Sequence, residues 1–133
     1  MRTAGSGRTR TFAEGACIVM AESVSGVDNI DDICSVPGVD AVYVGPADLA
    51  ASLGCPPALG VVPGTHAEAI AKILDACARH DIVAGIHCGT TQQVIGCAEM
   101  GFRMITISTD SQLLCTAAAD RLGEVRSAMA SNQ

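Results

Sequence analysis

The run Gly45-Pro46-Ala47-Asp48-Leu49-Ala50 follows an apolar stretch, Ala41-Val42-Tyr43-Val44, and its reading decides the fold. Four residues of this kind, bounded by Gly and Pro, read as a short buried strand ended by a rigid turn that presents a carboxylate. A second apolar run, Cys17-Ile18-Val19-Met20-Ala21, ends in the same way, with Glu22. Acidic groups at the C-terminal tips of buried parallel strands are how an α/β barrel assembles a divalent-metal site. Glu22 and Asp48 are therefore the candidate metal ligands.

Working outward, two more runs have the same character, Ile82–His87 and Met104–Ser108. Each is short, apolar and flanked by polar residues or Gly, as expected of strands buried on both faces of a parallel sheet. Helical signals separate them. Ser25 is placed to cap a helix reaching about Cys34, closed by Pro37-Gly38. Thr65-His66-Ala67-Glu68 has the form of a capping box. Behind it, Ala67, Ile70, Ala71, Leu74 and Ala78 form an apolar stripe, with Glu68/Lys72 and Asp75/Arg79 as i,i+4 pairs on the other face. Thr90-Thr91-Gln92-Gln93 opens another helix, with Val94, Ile95 and Ala98 inward and Gly101 as its stop. Asp110 or Ser111 opens the last, in which Leu114, Ala118, Leu122 and Val125 align. Between them, Gly54–Gly64, with three prolines, reads as a long loop on the functional face. Four β-α units predict a parallel sheet, half of a (β/α)₈ barrel that typically takes ~250 residues. The expected division is a poorly ordered leader over 1–15 and a half-barrel domain over 16–130.

Composition narrows the function. The chain has 133 residues, of which 49% are hydrophobic, yet it holds only two Phe, one Tyr and no Trp. Such a core is layered from Ala, Val, Ile and Leu. Arg2, Arg8 and Arg10 fall in the first ten residues, leaving five basic against fourteen acidic residues in the body. That acidic balance argues against nucleic acid, which needs a basic footprint. No apolar run approaches the ~18 residues of a membrane span, and no apolar segment follows the first arginines as a secretory signal requires. Seven cysteines, an odd number without Cys-x-x-Cys spacing, predict a reduced, cytoplasmic protein that uses Cys as a small hydrophobe.

These residues resemble the C-terminal half of the HpcH/HpaI aldolase/citrate lyase family, and within it the class II pyruvate aldolases of the 4-hydroxy-2-oxoheptanedioate and 2-keto-3-deoxyglucarate type. The resemblance rests on Val19-Met20-Ala21-Glu22-Ser23, Pro37-Gly38-Val39-Asp40, Val44 through Gly54, Ala84-Gly85-Ile86, Gly101 through Thr106, and Asp110 through Leu114. It implies a Mg²⁺ or Mn²⁺ ion, with Co²⁺ a further candidate, held by Glu22 and Asp48. It also implies a 2-keto acid lying against Gly45, Pro46 and Ala47, its carboxylate held by the Ala47 amide. The implied reaction is cleavage of a 2-keto-4-hydroxy acid to pyruvate and an aldehyde. Two hard carboxylates suit such an ion, whereas thiolates or imidazoles would select zinc or copper. The family's catalytic His, its partner Asp and its keto-polarising Arg lie in the N-terminal half of the barrel, so the resemblance assigns no catalytic base here.

Three readings stay open. One is a truncated or split aldolase, weakly active or inactive alone. Another is a citrate-lyase-β-like CoA-ester lyase fragment. The third is a non-catalytic half-barrel that oligomerises or binds metal and keto acid. In each, unpaired edge strands predict association with a second copy or with a complementary N-terminal half. Among the histidines, His87 ends the third strand as either an acid–base group or a rim residue bonded to a loop. His66 is expected to face solvent at a helix start, and His80 to support a helix C-terminus. Asp28, Asp31 and Asp32 read as a solvated helix face rather than a calcium loop.

Overall fold

The computed structural model describes residues 15–131. The leader expected over residues 1–15 lies almost wholly outside that range. The order of elements is β1 (Cys17–Ala21), α1 (Val24–Asp28), α2 (Ile30–Ser35), β2 (Val39–Val44), α3 (Pro46–Ser52), α4 (Thr65–Arg79), β3 (Val83–His87), α5 (Thr91–Met100), β4 (Met104–Thr106) and α6 (Asp110–Ala130). The strands form one sheet in the order β1-β2-β3-β4, and each neighbouring pair is parallel. This is the four-stranded parallel half-barrel arrangement expected from the sequence, with β1 and β4 as its edges.

Side chains alternate across the sheet, so its register defines two faces. On the outer face, Val19, Val42 and Ala84 form one row and Ala21, Val44, Ile86 and Ile105 the next. These rows pack against Val27, Ile30 and Cys34 of α1 and α2, Ile70, Ile73 and Cys77 of α4, and Phe102. The inner face carries Ile18, Ala41 and Val83, then Met20, Tyr43, Gly85 and Met104. At the β1 edge this face is open, with Ile18 48% and Met20 58% exposed. Further in, Tyr43 and Met104 close over Gly85, where a Cβ would lie 2.7 Å from Tyr43 Cδ2 and 2.6 Å from Met104 Cε. Only glycine permits that approach.

Several helical details differ from the sequence reading. The first helix is capped by Ser23 rather than Ser25, with Gly26 N–H donating to Ser23 Oγ at 3.2 Å. It breaks at Asn29, whose side-chain amide donates to the Ser25 carbonyl at 2.8 Å, which is why α1 and α2 are separate. Pro46 at the first helical position starts α3 within what reads as a turn. On α4 the cap is Gly64, with no side-chain hydrogen bond, so the expected capping box does not form. The buried stripe of α4 is His66, Ala69, Ile70, Ile73, Ala76 and Cys77, while Ala71 and Ala78 are exposed.

The charged face also rearranges. Asp75 and Arg79 pair at 2.9 Å as expected, but Lys72 reaches Asp28 at 3.8 Å instead of Glu68. Asp31, half exposed on the solvated face expected of it, also accepts from Arg79 and lies 3.1 Å from His80 Nε2, so it ties α2 to the end of α4. Thr90 and Gln93 do form a reciprocal capping box on α5, and Gly101 ends that helix at φ 109°. Ile95 and Ala98, expected inward, are exposed.

The largest departure is α6. It begins with a Thr109 cap, spans 21 residues and buries none of them. Leu114, Ala118, Leu122 and Val125 align as the sequence suggests, but the row they form faces outward. All seven cysteines are free, with Cys34, Cys77, Cys88 and Cys97 buried. Burial pushes the Cys77 and Cys88 thiols up to about 12, as expected of cysteines used for packing. No helix among the described residues is long and apolar enough to cross a membrane.

Candidate metal centre

The site is built by the C-terminal ends of β1 and β2. Ala21 pairs with Val44, and the Gly45 N–H donates to the Ala21 carbonyl at 3.3 Å, so Glu22 and Gly45 leave the sheet side by side. Gly45 then caps α3, with Pro46 at its first position, Ala47 at its second and Asp48 in its first turn. Glu22 and Asp48 thus stand on the same edge of the sheet, on neighbouring strand exits about 4.8 Å apart at the backbone.

Gly45 matters for what it lacks. A Cβ there would lie 2.9 Å from Glu22 Oε2 and 3.1 Å from Glu22 Cβ. The Glu22 side chain therefore folds across the glycine toward β2, into a notch that any larger residue would fill. Gly45 and Pro46 are buried, Ala47 and Glu22 half-buried, and Asp48 exposed. Among the described residues neither carboxylate has a hydrogen-bond or ion-pair partner. As the second residue of α3, Ala47 has no helical carbonyl four residues back to accept from its amide.

This donor set fits a hard divalent cation. It offers oxygen only, and among the described residues no cation pairs with either carboxylate. No cluster of three or more His, Cys, Asp or Glu is present among the described residues. A pair of carboxylates leaves the other positions of an octahedral ion to water and substrate oxygens, the usual habit of Mg²⁺.

His87 stands at the same end of the inner face. Its Nδ1 lies 2.6 Å from Thr106 Oγ1, which is also hydrogen-bonded to the Tyr43 hydroxyl. The imidazole is thus held by the neighbouring strand. The loop's hydrogen bond to it is at the backbone, where Gly60 N–H donates to the His87 carbonyl at 3.4 Å. Thr106 and Tyr43 carry no motif, and pairing across both β2–β3 and β3–β4 was needed to bring them together.

His66, expected in solvent, is instead 1% exposed. Val62 N–H donates to its Nδ1 at 3.1 Å, and its Nε2 lies 3.0 Å from the Pro46 carbonyl. The spacing of His66 with Ile70, Ile73 and Cys77 is the signal that would have placed it inward.

The HpcH/HpaI aldolase/citrate lyase family profile matches residues 2–117. The chain is 38% identical over 135 residues to a hydroxypyruvate/pyruvate aldolase of Paraburkholderia phytofirmans, covering 96% of this chain and 50% of that one. It is 32% identical over 114 residues to a 2-keto-3-deoxy-L-rhamnonate aldolase of Escherichia coli K12, covering 83% and 40%. A crystal structure of an HpcH/HpaI aldolase/citrate lyase family protein from Burkholderia cenocepacia superposes with a TM-score of 0.74 at 42% identity, covering 84% of this chain and 42% of that one. The chain spans about half the length of the curated relatives it matches. It belongs to the HpcH/HpaI aldolase/citrate lyase family.

Proposed function

We propose that this member of the family forms the metal- and 2-oxo-acid-binding half of a carbon–carbon lyase that cleaves 2-keto-4-hydroxy acids to pyruvate and an aldehyde. One observation carries the reading. The Glu22 carboxylate lies in the notch of Gly45, beside the turn that bears Asp48 and the Ala47 amide. The names of the aldolase relatives support the same reaction class.

Glu22 and Asp48 would hold the ion, Mg²⁺ or Mn²⁺, with Co²⁺ as a further candidate. When bound, such an ion supplies an electrophile for the charge that develops on the keto oxygen as the C3–C4 bond breaks. The chain's own residues provide the frame. Gly45 leaves the floor of the site open, Pro46 restricts the turn, and the Ala47 amide is placed to donate to the substrate carboxylate. His87, held by Thr106, limits access from the β3 side.

Titration calorimetry with MnCl₂ tests the assignment. Glu22→Gln and Asp48→Asn should each weaken Mn²⁺ binding by at least about 10-fold, and pyruvate should bind only with the metal present. Isotherms unchanged in both variants would contradict it.

A second reading is favoured by the exposed Ile18 and Met20 on the inner face. In that reading the half-barrel binds or oligomerises without turnover. In either case the partner is a complementary half-barrel or a second copy, since among the described residues β1 and β4 each have a neighbouring strand on one side only. Pyruvate release from 2-keto-4-hydroxy acids, measured for the chain alone and mixed with a complementary half, separates the two. Release in neither condition favours the non-catalytic module.

A further inference from the structure

His66 is the single polar or charged residue that is buried among the described residues, and it lies beside the candidate metal centre without belonging to it. Its surroundings determine its state. The group facing Nδ1 is the Val62 N–H, which can only donate, and the group facing Nε2 is the Pro46 carbonyl, which can only accept. Both contacts are satisfied by one form, a neutral imidazole with its proton on Nε2. In that form the ring joins the 53–64 loop, the first turn of α4 and the Gly45–Asp48 turn.

The contact with Pro46 has a specific consequence. The Pro46 carbonyl and the Ala47 N–H belong to one peptide unit, which is planar and trans. Holding the oxygen in place therefore holds the N–H pointing the opposite way. A hydrogen bond to the carbonyl also polarises the unit and strengthens its N–H as a donor. We propose that His66 is a positioning residue for substrate. Through the Pro46–Ala47 peptide it aims the Ala47 amide at the carboxylate of a 2-oxo acid. This rests on the function proposed above.

The role separates His66 from an ordinary core residue, because the carboxylate-binding step depends on it more than metal binding does. Glu22 comes from β1 and keeps its place without His66.

The test uses the 133-residue chain with Mn²⁺ and pyruvate as probes. His66→Phe keeps the ring and loses both hydrogen bonds, whereas His66→Gln can supply one donor and one acceptor. In His66→Phe, pyruvate affinity at saturating Mn²⁺ should fall about 10–100-fold, while the Mn²⁺ dissociation constant changes by less than about 3-fold. His66→Gln should recover most of the loss. Equal pyruvate affinity in wild type and His66→Phe overturns the proposal and leaves the function standing. Parallel loss of Mn²⁺ and pyruvate binding also overturns it, in favour of a purely structural role. A wild-type chain that binds neither probe removes the functional reading itself, and this proposal with it. Should His66→Phe not fold, ¹⁵N spectra of the wild type decide. Adding pyruvate to the Mg²⁺-loaded protein should shift the Ala47 amide and the protonated His66 Nε2 together. A protonated Nδ1, or an unmoved Ala47 amide, overturns the proposal.

Discussion

Helices α4 and α6 are the two longest among the described residues, with 15 and 21 residues, and they meet opposite fates. Both carry aligned apolar residues. In α4 a stripe of six residues sinks against the outer face of the sheet, whereas α6 buries nothing. The difference lies in what each helix is offered. The outer rows of β1–β3 present Val42, Val44, Ala84 and Ile86 under α4, and α2 closes its flank through the Asp31–Arg79 and Asp31–His80 contacts. Beyond β4, a three-residue strand, the sheet offers no further row for α6 to cover among the described residues. Amphipathic spacing gives a helix a face to bury, and packing occurs only where another element supplies the opposing face.

The comparison shows most strongly in thiol chemistry. Cys77 of α4 is buried, and burial pushes its thiol up to about 12, away from the reactive thiolate form. Cys115 of α6 is exposed. Iodoacetamide followed by peptide mapping should modify Cys115 within minutes and leave Cys77 unmodified until the fold opens. Equal rates would mean that α4 is not packed as described.

Core truncation is expected to give the next largest effect. Ile73→Ala in α4 removes a side chain with no exposure and should cost about 2–5 kcal/mol in denaturant unfolding. A loss below about 1 kcal/mol would indicate that α4 detaches readily from the sheet.

The link between α2 and α4 should appear as a pH dependence. Hydrogen bonds from Arg79 and His80 hold the Asp31 carboxyl down to about 2, against an ordinary 3.8. A lowered carboxyl contributes stability that is present above its unfolded value and lost as pH falls through the folded one. This contribution should therefore fade between about pH 4 and pH 2, and Asp31→Asn should remove that part of the acid-unfolding curve. Because both partners are about half exposed, the effect should be smaller than that of Ile73→Ala and should weaken in high salt.

The smallest change is expected in α6. Leu122→Ser alters an exposed residue and should shift the stability of the isolated chain by no more than about 0.5 kcal/mol. A concentration-dependent loss of stability in Leu122→Ser would show instead that α6 packs against a partner in solution.

Much of this architecture is legible in the residues themselves. Four apolar runs bounded by Gly, Pro and polar residues read as parallel strands, and they are strands, although β4 stops at Thr106 rather than Ser108. The placement of Glu22 and of Gly45 through Asp48 at strand ends follows from the same local reading. The helix start at Thr90–Gln93 and the Gly101 stop are likewise local, because helix ends depend on residues three or four apart, although the capping box itself forms there and not at Thr65–Glu68.

What the sequence left undetermined is the phase of the helices. In α4 the alanines at 67, 69, 71, 76 and 78 occur around much of the helix, so periodicity admits more than one stripe. Contact with Val42, Val44 and Ile86 selects the stripe containing His66 and turns an expected solvent histidine into a buried clasp on the Pro46 carbonyl. Tertiary structure likewise placed the Glu22 side chain across Gly45 and joined His87 to Thr106 and Tyr43, since those contacts depend on strand register. Local sequence sets which elements form and where they end. The surface opposite each element decides which side is buried, because burial is a property of two faces in contact.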